Sequence, residues 1–439
     1  MHKSFILFLI FLFIDSFPIQ PAFCCFIVRS QKSLVKKRLI PYNKIKKKTQ
    51  NETQKRKKRS IQIMDFYMPT KVHMEKDCVK KHKKELTSLG TKALIVTGHS
   101  SSKKNGSLNN VTEALSSEGV LYVIFDEIEE NPSVETIMKA ATLGIEEHVD
   151  FVIGIGGGSP MDASKAIALM IANPQENESL LYESKNAPVL PVVAVPTTAG
   201  TGSEVTPYAI LTLHSEQTKR GISHRIFPVL ALVDYTYLTF APREIMVCTA
   251  IDTLAHLIES YLNTKTNVYN RMMTEYGLRI WGCFKDALLS NDAPSESTYQ
   301  AMMMASTIAG MSISHTGTSL PHGMSYYLTY EQNIPHGNAV GIFLPAFLDI
   351  FEDKNQVKRL LGLLDFKNEK AFTKYIDSLF EIVVVNEDDV DRYVAGMMSN
   401  QKKLANYPFK MTEDKFYTIF KNSVKIKKNR KFPFFNRNK

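Results

Sequence analysis

The sequence predicts an α/β domain built on a parallel sheet, followed by an all-α domain. Short runs rich in Val, Ile and Leu recur in the first half of the body of the chain, and helical stretches such as PSVETIMKAATLGIEEH separate them. Continuous apolar runs of this length are typical of parallel strands that are buried on both faces. Their alternation with helices indicates an open sheet covered by helices. After Pro242 the remaining stretches have the length and period of helices, and we expect no further strands.

The elements follow one another in a simple order. The expected strands are the runs KALIVTG, VLYVIF, DFVIGIG, PVVAVPT and VLALVD. The expected helices of the second half are EIMVCTAIDTLAHLIESYL, YNRMMTEYGLRIWGCFKDALL, STYQAMMMASTIAGMSIS and TKYIDSLFEIVV. We place the α/β domain at residues 60–241 and the helical domain at residues 242–439, which end in a basic tail.

The N-terminal segment is predicted to be a targeting leader and not part of the fold. Residues 1–28 contain an apolar run from Phe5 to Ile14, which is too short to span a bilayer and suits the core of a signal peptide. Residues 29–59 are rich in Lys and Arg, so they cannot bury a core and should be disordered. Such a two-part leader resembles those of proteins sent through the secretory route into a plastid-type, apicoplast-like organelle. A misassigned start codon and a secreted protein with a basic propeptide are the alternatives.

The net charge of +10 comes from the two ends of the chain. Residues 1–59 hold fifteen Lys and Arg against two acids, and residues 421–439 hold eight Lys and Arg and no acid. The body between them is therefore acidic overall, which argues against a nucleic-acid-binding face. Three of the five cysteines lie in the body without a CxxC pair, so we expect neither a disulfide framework nor a structural zinc knuckle. These unpaired cysteines fit best with a protein that works in a reducing compartment.

One loop has the composition of a phosphate-binding turn. Gly156, Gly157 and Gly158 allow the backbone to approach an anion closely. Ser159-Pro160 then opens a helix with a capping hydroxyl and a proline at its first position. The positive end of that helix would attract a phosphate. The pattern is not GxGxxG, and a tight structural turn explains it nearly as well.

A second loop, VPTTAGTGSEVTP, also follows a strand, and its hydroxyls come from Thr197, Thr198, Thr201 and Ser203. Loops at the carboxyl ends of parallel strands line the ligand crevice, so the two loops together favour a dinucleotide. After the first strand, which ends at Gly98, an acid would bind the ribose 2′-hydroxyl of NAD. The loop there has no acid but carries Lys103 and Lys104, which favours NADP(H) over NAD(H). Solvated loop lysines are the alternative.

One expected helix carries a stripe of ionisable residues. Asp252, His256 and Glu259 fall on one side at the helical period, opposite apolar positions. Taken alone, this is most simply a solvated face with an i, i+4 ion pair. Further along, two Pro-His-Gly tripeptides present His322 and His336 in an apolar context. One carboxylate with three imidazoles is a donor set that suits Fe²⁺ or Zn²⁺.

Four motifs in this order resemble the iron-containing (group III) alcohol dehydrogenase family: GGGSPMDASKA, PTTAGTGSEVTP, DTLAHLIESY and PHGMSYYLTYEQNIPHG. The resemblance implies a Rossmann-like dinucleotide-binding domain, a helical metal-binding domain and a metal in the cleft between them. The metal ligands that it implies are Asp252, His256, His322 and His336. The cofactor contacts that it implies are Gly157, Gly158, Ser159, Asp162, Thr197, Thr198 and Thr201, and the loop patterns add Gly98 and Ser203.

One position departs from that family's pattern. Many members carry a histidine four residues after the third ligand, in HGMAH, which is thought to relay the substrate proton. This chain reads HGMSY, with Tyr326 at that place. Tyrosine gives up a proton less readily than histidine at neutral pH, so the metal site should survive while the proton route changes. Tyr326 stays a candidate catalytic residue; His315 is a candidate substitute, although a structural role suits it better.

These features predict a metal-dependent alcohol dehydrogenase or aldehyde reductase that transfers a hydride between NADP(H) and a small alcohol or aldehyde. The metal would act as a Lewis acid on the alcohol oxygen, and with NADPH we expect aldehyde reduction. The alternative is a dehydroquinate-synthase-like lyase, whose phosphate-bearing substrate calls for Lys or Arg that residues 251–263 and 319–345 lack. A binding protein that has lost activity is a third alternative. The resemblance also implies a homodimer, and we expect neither nucleic-acid binding nor a membrane span in the mature protein.

Overall fold

The computed structural model describes residues 65–216 and 218–427, which belong to one compact unit. The signal-like segment, the basic leader and most of the basic tail lie outside the described residues, so those predictions stay predictions. Within the described residues, no helix combines the length and the apolar character that a membrane crossing needs.

A parallel sheet forms the core of the first half. The strands are β1 (Lys71–Met74), β2 (Lys92–Thr97), β3 (Leu121–Phe125), β4 (Phe151–Gly156), β5 (Val192–Pro196), β6 (Ile210–Leu213), β7 (Thr218–Gly221) and β8 (Leu230–Val233). Among the described residues, six of them form one sheet in the spatial order β1-β8-β5-β4-β2-β3, and every neighbouring pair is parallel. The antiparallel hairpin of β6 and β7 stands apart from it.

Helices cover both faces of this sheet. They are α1 (Cys78–Lys81), α2 (Lys83–Thr87), α3 (Ser101–Lys104), α4 (Ser107–Ser117), α5 (Val134–Glu146) and α6 (Gly158–Ile171). Alternate residues of β2 belong to two different hydrophobic clusters, with Leu94 and Val96 in one and Ala93 and Ile95 in the other. The sheet is therefore buried on both faces, as the apolar runs predicted. Strand β3 is the exception, because it lies at the edge and leaves Leu121 65% exposed.

The second half is mainly helical. Its helices are α7 (Arg243–Tyr261), α8 (Val268–Phe284), α9 (Glu296–Thr316), α10 (Leu320–Glu331), α11 (His336–Gly341), α12 (Leu344–Ile350), α13 (Lys354–Leu363), α14 (Glu369–Asp377), α15 (Glu387–Ser399), α16 (Gln401–Leu404) and α17 (Glu413–Ser423). They enclose a hydrophobic core in which Trp281 is fully buried and donates its indole N–H to the carbonyl of Ala250 at 2.7 Å.

The expectation of no strand after Pro242 was wrong. Strand β9 (Val384–Asn386) pairs in parallel with β10 (Lys425–Lys427), and helix α14 ends at Asp377, so EIVV is not helical. Strand β1 and the β6–β7 hairpin were also missed. These strands have three or four residues each, which is too short for an alternating or apolar pattern to stand out. The partner of β9 lies far along the chain, so only tertiary contact reveals it.

Helix α9 makes a close backbone contact with the loop that follows β5. A Cβ atom at Gly310 would lie 2.4 Å from the carbonyl oxygen of Gly202 and 2.8 Å from its Cα. Gly202 has a φ of 61°, in the left-handed region that favours glycine. The contact holds the hydroxyl-rich loop against the helical half of the molecule.

Gly310→Ala should lower the free energy of unfolding by about 1–3 kcal/mol, because the loop backbone must move to admit the methyl group. Gly362→Ala in helix α13 is the matched control, since a Cβ there meets nothing within 4 Å. It should leave stability unchanged or raise it by up to about 1 kcal/mol. Equilibrium urea unfolding measures both, and equal stability of the two variants would contradict the close contact.

Candidate metal centre and dinucleotide loops

The ionisable stripe of helix α7 lies inside the molecule. Asp252 is 3% exposed, His256 5% and Glu259 0%. The simpler interpretation of this stripe, a solvated helix face, is therefore wrong. The helix is buried on the polar side as well as on the apolar side, because the loop after β5 and the start of helix α10 pack against it. Buried charges of this kind need partners.

Four predicted ligands converge at this place. The Oδ1 atom of Asp252 lies 3.7 Å from Nε2 of His256, 3.2 Å from Nε2 of His322 and 3.8 Å from Nε2 of His336. The rings of His256 and His322 stack with centroids 4.5 Å apart, and those of His322 and His336 meet edge to face at 5.4 Å. One donor atom each from Asp252, His322 and His336 lies within 4.8 Å of the other two.

The two Pro-His-Gly tripeptides are helix starts. His322 lies in the first turn of α10, and His336 is the first residue of α11, each after a proline that suits a helix N-terminus. A Cβ atom at Gly337 would lie 1.9 Å from the carbonyl oxygen of Cys248 on α7. Glycine therefore lets α11 pack directly on α7, and this contact brings His336 to Asp252.

Glu259 holds His322 in place. Its Oε1 accepts the backbone N–H groups of Ser319 and His322 at 3.1 Å each, and its Oε2 is hydrogen-bonded to Nδ1 of His322. With Nδ1 occupied, Nε2 of His322 faces Asp252. The sequence put Glu259 on the same stripe as Asp252 and His256 without a role at the site, but the structure places it against the predicted ligand His322. The available signal was its position in the stripe, three residues after His256.

His256 is oriented in the same way by the loop after β5. Its Nδ1 lies 3.3 Å from the carbonyl oxygen of Gly200, which leaves Nε2 on the side of Asp252. Metal-binding histidines commonly donate their other ring N–H to a carboxylate or a backbone carbonyl, which sets the tautomer. Both patterns occur here, one on His322 and one on His256.

Electrostatics favour a carboxylate that is ionised. Burial opposes ionisation of Asp252, but the three imidazoles outweigh it and hold the pKa of Asp252 below its usual range. Burial also lowers the pKa of His256, and it lowers that of His336 to about 4. For His322, burial is outweighed by the carboxylates of Glu259 and Asp252, which raise its pKa to about 10.

The donor set fits a divalent metal. One carboxylate oxygen and three imidazole nitrogens, with two of the rings already held by hydrogen bonds, are ligands that suit Fe²⁺ or Zn²⁺. Three of the four side chains are buried, whereas His336 is 33% exposed. The centre therefore opens to solvent beside His336, where a substrate could enter.

Tyr326 and His315 have different surroundings. The ring of Tyr326 lies nearly parallel to that of His336, with centroids 6.2 Å apart, so Tyr326 lines the open side of the centre. Nδ1 of His315 lies 2.8 Å from the carbonyl oxygen of Met311, and its Nε2 accepts the backbone N–H of Tyr67 at 3.0 Å. Both ring nitrogens of His315 are thus engaged in structural contacts, which leaves Tyr326 as the relay candidate.

The two hydroxyl- and glycine-rich loops lie side by side. A Cβ at Gly157 would lie 3.1 Å from Oγ1 of Thr198, and one at Gly158 would lie 2.7 Å from the methyl group of Thr201. Helix α6 begins at Gly158 with Gly157 as its N-cap, so the predicted capping role of Ser159 was wrong. The Ser159 hydroxyl accepts the N–H of Asn131 at 3.3 Å instead. No side chain caps this helix, which leaves its first amides for an anion.

Asp162 and Ser203 join the two loops from behind. Oδ1 of Asp162 accepts the Ser203 hydroxyl at 2.5 Å, and Oδ2 accepts the N–H of Ile210 at 2.9 Å. The fully buried Lys165 donates to the Ser203 hydroxyl at 2.7 Å and to the carbonyl of Tyr208 at 2.8 Å. Burial lowers the pKa of Lys165. Ser203 was predicted to bind the cofactor, but its hydroxyl is buried in this network, which braces the loops; Lys165 was missed.

A lysine of the segment after β2 forms an ion pair with an acid from the neighbouring strand. Lys103 Nζ lies 2.5 Å from Oδ2 of Asp126, which follows strand β3. Lys104 is exposed, and Gly98 lies at the start of this loop. The sequence of the loop has no acid, but the neighbouring strand brings one. Tertiary structure therefore adds a carboxylate beside the lysines that were predicted to favour NADP(H).

Lys219, on the β6–β7 hairpin, is a cation near the site that was not predicted from the sequence. Its Nζ lies 2.8 Å from Oδ1 of Asn131, and burial lowers the pKa of Lys219 to about 8. Its charge contributes to the lowered pKa of His336. The segments around the ligands lack Lys and Arg, but the hairpin supplies one from elsewhere in the chain.

Two family models match this chain. The model described as iron-containing alcohol dehydrogenase matches residues 69–235, and the one described as Fe-containing alcohol dehydrogenase family, C-terminal, matches residues 246–424. A solved structure of an iron-containing alcohol dehydrogenase from Thermotoga maritima is 36% identical with a TM-score of 0.77, and the match covers 82% of this chain and 99% of that one.

Two curated relatives carry functional names. The long-chain primary alcohol dehydrogenase of Thermoanaerobacter ethanolicus is 31% identical over 61% of this chain and 69% of its own length. The NADPH-dependent butanol dehydrogenase of Clostridium saccharobutylicum is 27% identical over 73% of this chain and 83% of its own length.

Glu259→Gln should weaken metal binding by about 10–100-fold, because the amide cannot hold His322 through a charged hydrogen bond. Glu244→Gln, at an exposed position in the first turn of the same helix, is the control and should bind metal as the unmodified protein does. Competition with a chromophoric chelator gives both affinities. Unchanged affinity in a folded Glu259→Gln protein would show that the carboxylate does not support the ligand.

Proposed function

Because the chain belongs to the iron-containing alcohol dehydrogenase family, we propose that it is a metal- and NADP(H)-dependent alcohol dehydrogenase. It acts on small alcohols and, with NADPH, reduces the corresponding aldehydes. The observation that carries the proposal is the convergence of three histidines on Oδ1 of the buried Asp252. Both family models are those of dehydrogenases, which favours this function over the dehydroquinate-synthase-like alternative.

The chemistry divides between the bound groups and the chain. A divalent metal supplies Lewis-acid polarisation of the substrate oxygen, and the nicotinamide donates or accepts the hydride. Asp252, His256 and His322 are buried, and neighbouring segments hold the two rings by hydrogen bonds, so the chain itself fixes the donors that would hold the metal. His336 and Tyr326 line the open side. There we propose that the Tyr326 hydroxyl forms a hydrogen bond through which the proton of the substrate hydroxyl is relayed.

The loops would position the cofactor. The uncapped start of α6 offers backbone amides to the pyrophosphate, and Thr198 and Thr201 lie against the same glycines. The carbonyl of Gly200, in the second loop, faces His256. The chain therefore connects the dinucleotide loops directly to the metal ligands, as a hydride transfer between a cofactor and a metal-activated alcohol requires.

His336→Ala should remove a ligand at the open side, so the ion bound at this centre should be lost and turnover should fall by more than about 100-fold. His214→Ala, at an exposed position, is the control and should retain both. Elemental analysis of protein purified without added metal, followed by NADPH oxidation with short aldehydes, measures the two quantities. It also tells iron from zinc. Full activity of a metal-free preparation would contradict the proposed function.

For the cofactor, we propose a preference for NADP(H), supported by Lys103 and Lys104 and by the NADPH-dependent relative. The ion pair between Lys103 and Asp126 opposes it, because the carboxylate competes with a 2′-phosphate for the ammonium group. The lysines should thus raise the ratio of kcat/KM with NADPH to that with NADH, and Asp126 should lower it.

The ratio of kcat/KM with NADPH to that with NADH should exceed one in the unmodified protein. Lys103→Ala with Lys104→Ala should lower the ratio about tenfold, and Asp126→Asn should raise it, since charge-assisted contacts to phosphate are strong. Lys80→Ala, on the exposed side of helix α1, is the control. Equal kcat/KM with both cofactors in the unmodified protein would count against the preference.

A further inference from the structure

A second cluster of metal-ligand side chains lies on elements that contribute nothing to the centre at Asp252. One donor atom each from His73, His82 and Glu85 lies within 4.8 Å of the other two. Nε2 of His73 is 2.9 Å from Oε2 of Glu85, and Nε2 of His82 is 2.8 Å from Oε1 of Glu75. The two imidazole rings stack face to face with centroids 3.5 Å apart.

The cluster is built within one short stretch of chain. His73 lies on strand β1, His82 joins helix α1 to helix α2, and Glu85 lies in the first turn of α2. Strand β1 has four residues and, among the residues that the structure describes, pairs only with β8 at the edge of the sheet. A ligand set so close in sequence needs little loop closure to assemble.

The geometry suits a divalent ion. In a tetrahedral zinc site, bonds of about 2.0–2.2 Å to nitrogen and oxygen place neighbouring donor atoms about 3.3–3.6 Å apart. Nε2 of His73 and Oε2 of Glu85 lie 2.9 Å apart, and every donor pair of the cluster lies within 4.8 Å, so small side-chain movements would bring the three donors to this spacing. Two imidazoles and a carboxylate are the donors that zinc takes in protein sites with an open fourth position.

The cluster is accessible from solvent, and a lysine competes with a metal ion for its carboxylate. The side chains of His73 and His82 are 22% and 21% exposed, so an ion can reach them from solvent. Lys71 Nζ lies 2.7 Å from Oε1 of Glu85, which leaves Oε2 on the histidine side. The neighbouring thiol of Cys78 is fully buried, donates to the carbonyl of His73 and is not among the clustered donors.

We propose that His73, His82 and Glu85 bind a second divalent transition-metal ion, with zinc the favoured metal, which clips edge strand β1 to helices α1 and α2. Glu75 is hydrogen-bonded to His82 but is not among the three clustered donors. The site is structural, since it lies on none of the loops or helices that form the proposed active centre. An ion-pair cluster with Lys71, without metal, is the alternative that the experiment must separate.

The test counts ions in the full chain after chelation and equilibrium dialysis against Zn²⁺. The unmodified protein should hold two ions per chain, and a variant with His73→Gln and His82→Gln should hold one. His336→Ala should also hold one, and the exposed His214→Gln should hold two. Glu85→Gln, a milder change, should weaken one of the two sites at least about tenfold.

A second measurement uses the His336→Ala protein, in which only the proposed clip remains. Zn²⁺ should raise its Tm in a concentration-dependent way, and adding His73→Gln and His82→Gln should abolish the rise. Equal zinc content in the unmodified protein and the His73→Gln, His82→Gln variant would overturn the clip and leave an ion-pair cluster only. If instead the unmodified protein binds one ion, lost only on changing His73 and His82, the clip stands and the centre at Asp252 fails.

Discussion

The burial of two carboxylates on helix α7 is the constraint on which the site depends. Moving an ionised carboxylate out of water costs several kcal/mol unless partners replace the lost hydration. Asp252 obtains them from the imidazoles, and Glu259 obtains them from two backbone N–H groups and His322. The arrangement that solvates these charges is the same one that points three ring nitrogens at one oxygen. The same contacts assemble the donor set of the proposed metal centre.

Contacts of the loop after β5 also join the two halves of the molecule. The carbonyl of Gly200 faces His256 and accepts the hydroxyl of Thr253, both at 3.3 Å. Beside it, the buried Glu204 accepts the hydroxyl of Thr307 on helix α9 at 2.8 Å. The threonines of the hydroxyl-rich loop thus face the proposed cofactor side of the sheet. The carbonyl of Gly200 and the carboxylate of Glu204, in the same loop, face the helical half. A movement of this loop would change the proposed metal ligands and the proposed nucleotide contacts together.

Prediction from the sequence succeeded where a signal is repeated or strongly constrained. The long apolar runs of β2, β4 and β5 and the helical period of α7 carry enough residues for the pattern to be unambiguous. It failed for β1, β9 and β10, which are too short, and for Ser159, whose residue type suits a cap although the helix starts one residue earlier. Ser203 has the right chemistry for a cofactor contact, but its hydroxyl is turned inward to Asp162 and Lys165.

The sequence by itself determined the fold class and the residue types of the candidate centre, since periodicity and the Pro-His-Gly motifs are local properties of the chain. Only the tertiary structure decided that the α7 stripe is buried, that Glu259 supports His322 and that Asp126 reaches Lys103. Each of these depends on segments that are distant in sequence and meet only in the folded protein. Burial is the physical reason, because a carboxylate in water is solvated and needs no partner. A buried carboxylate must have partners, and those partners determine its role.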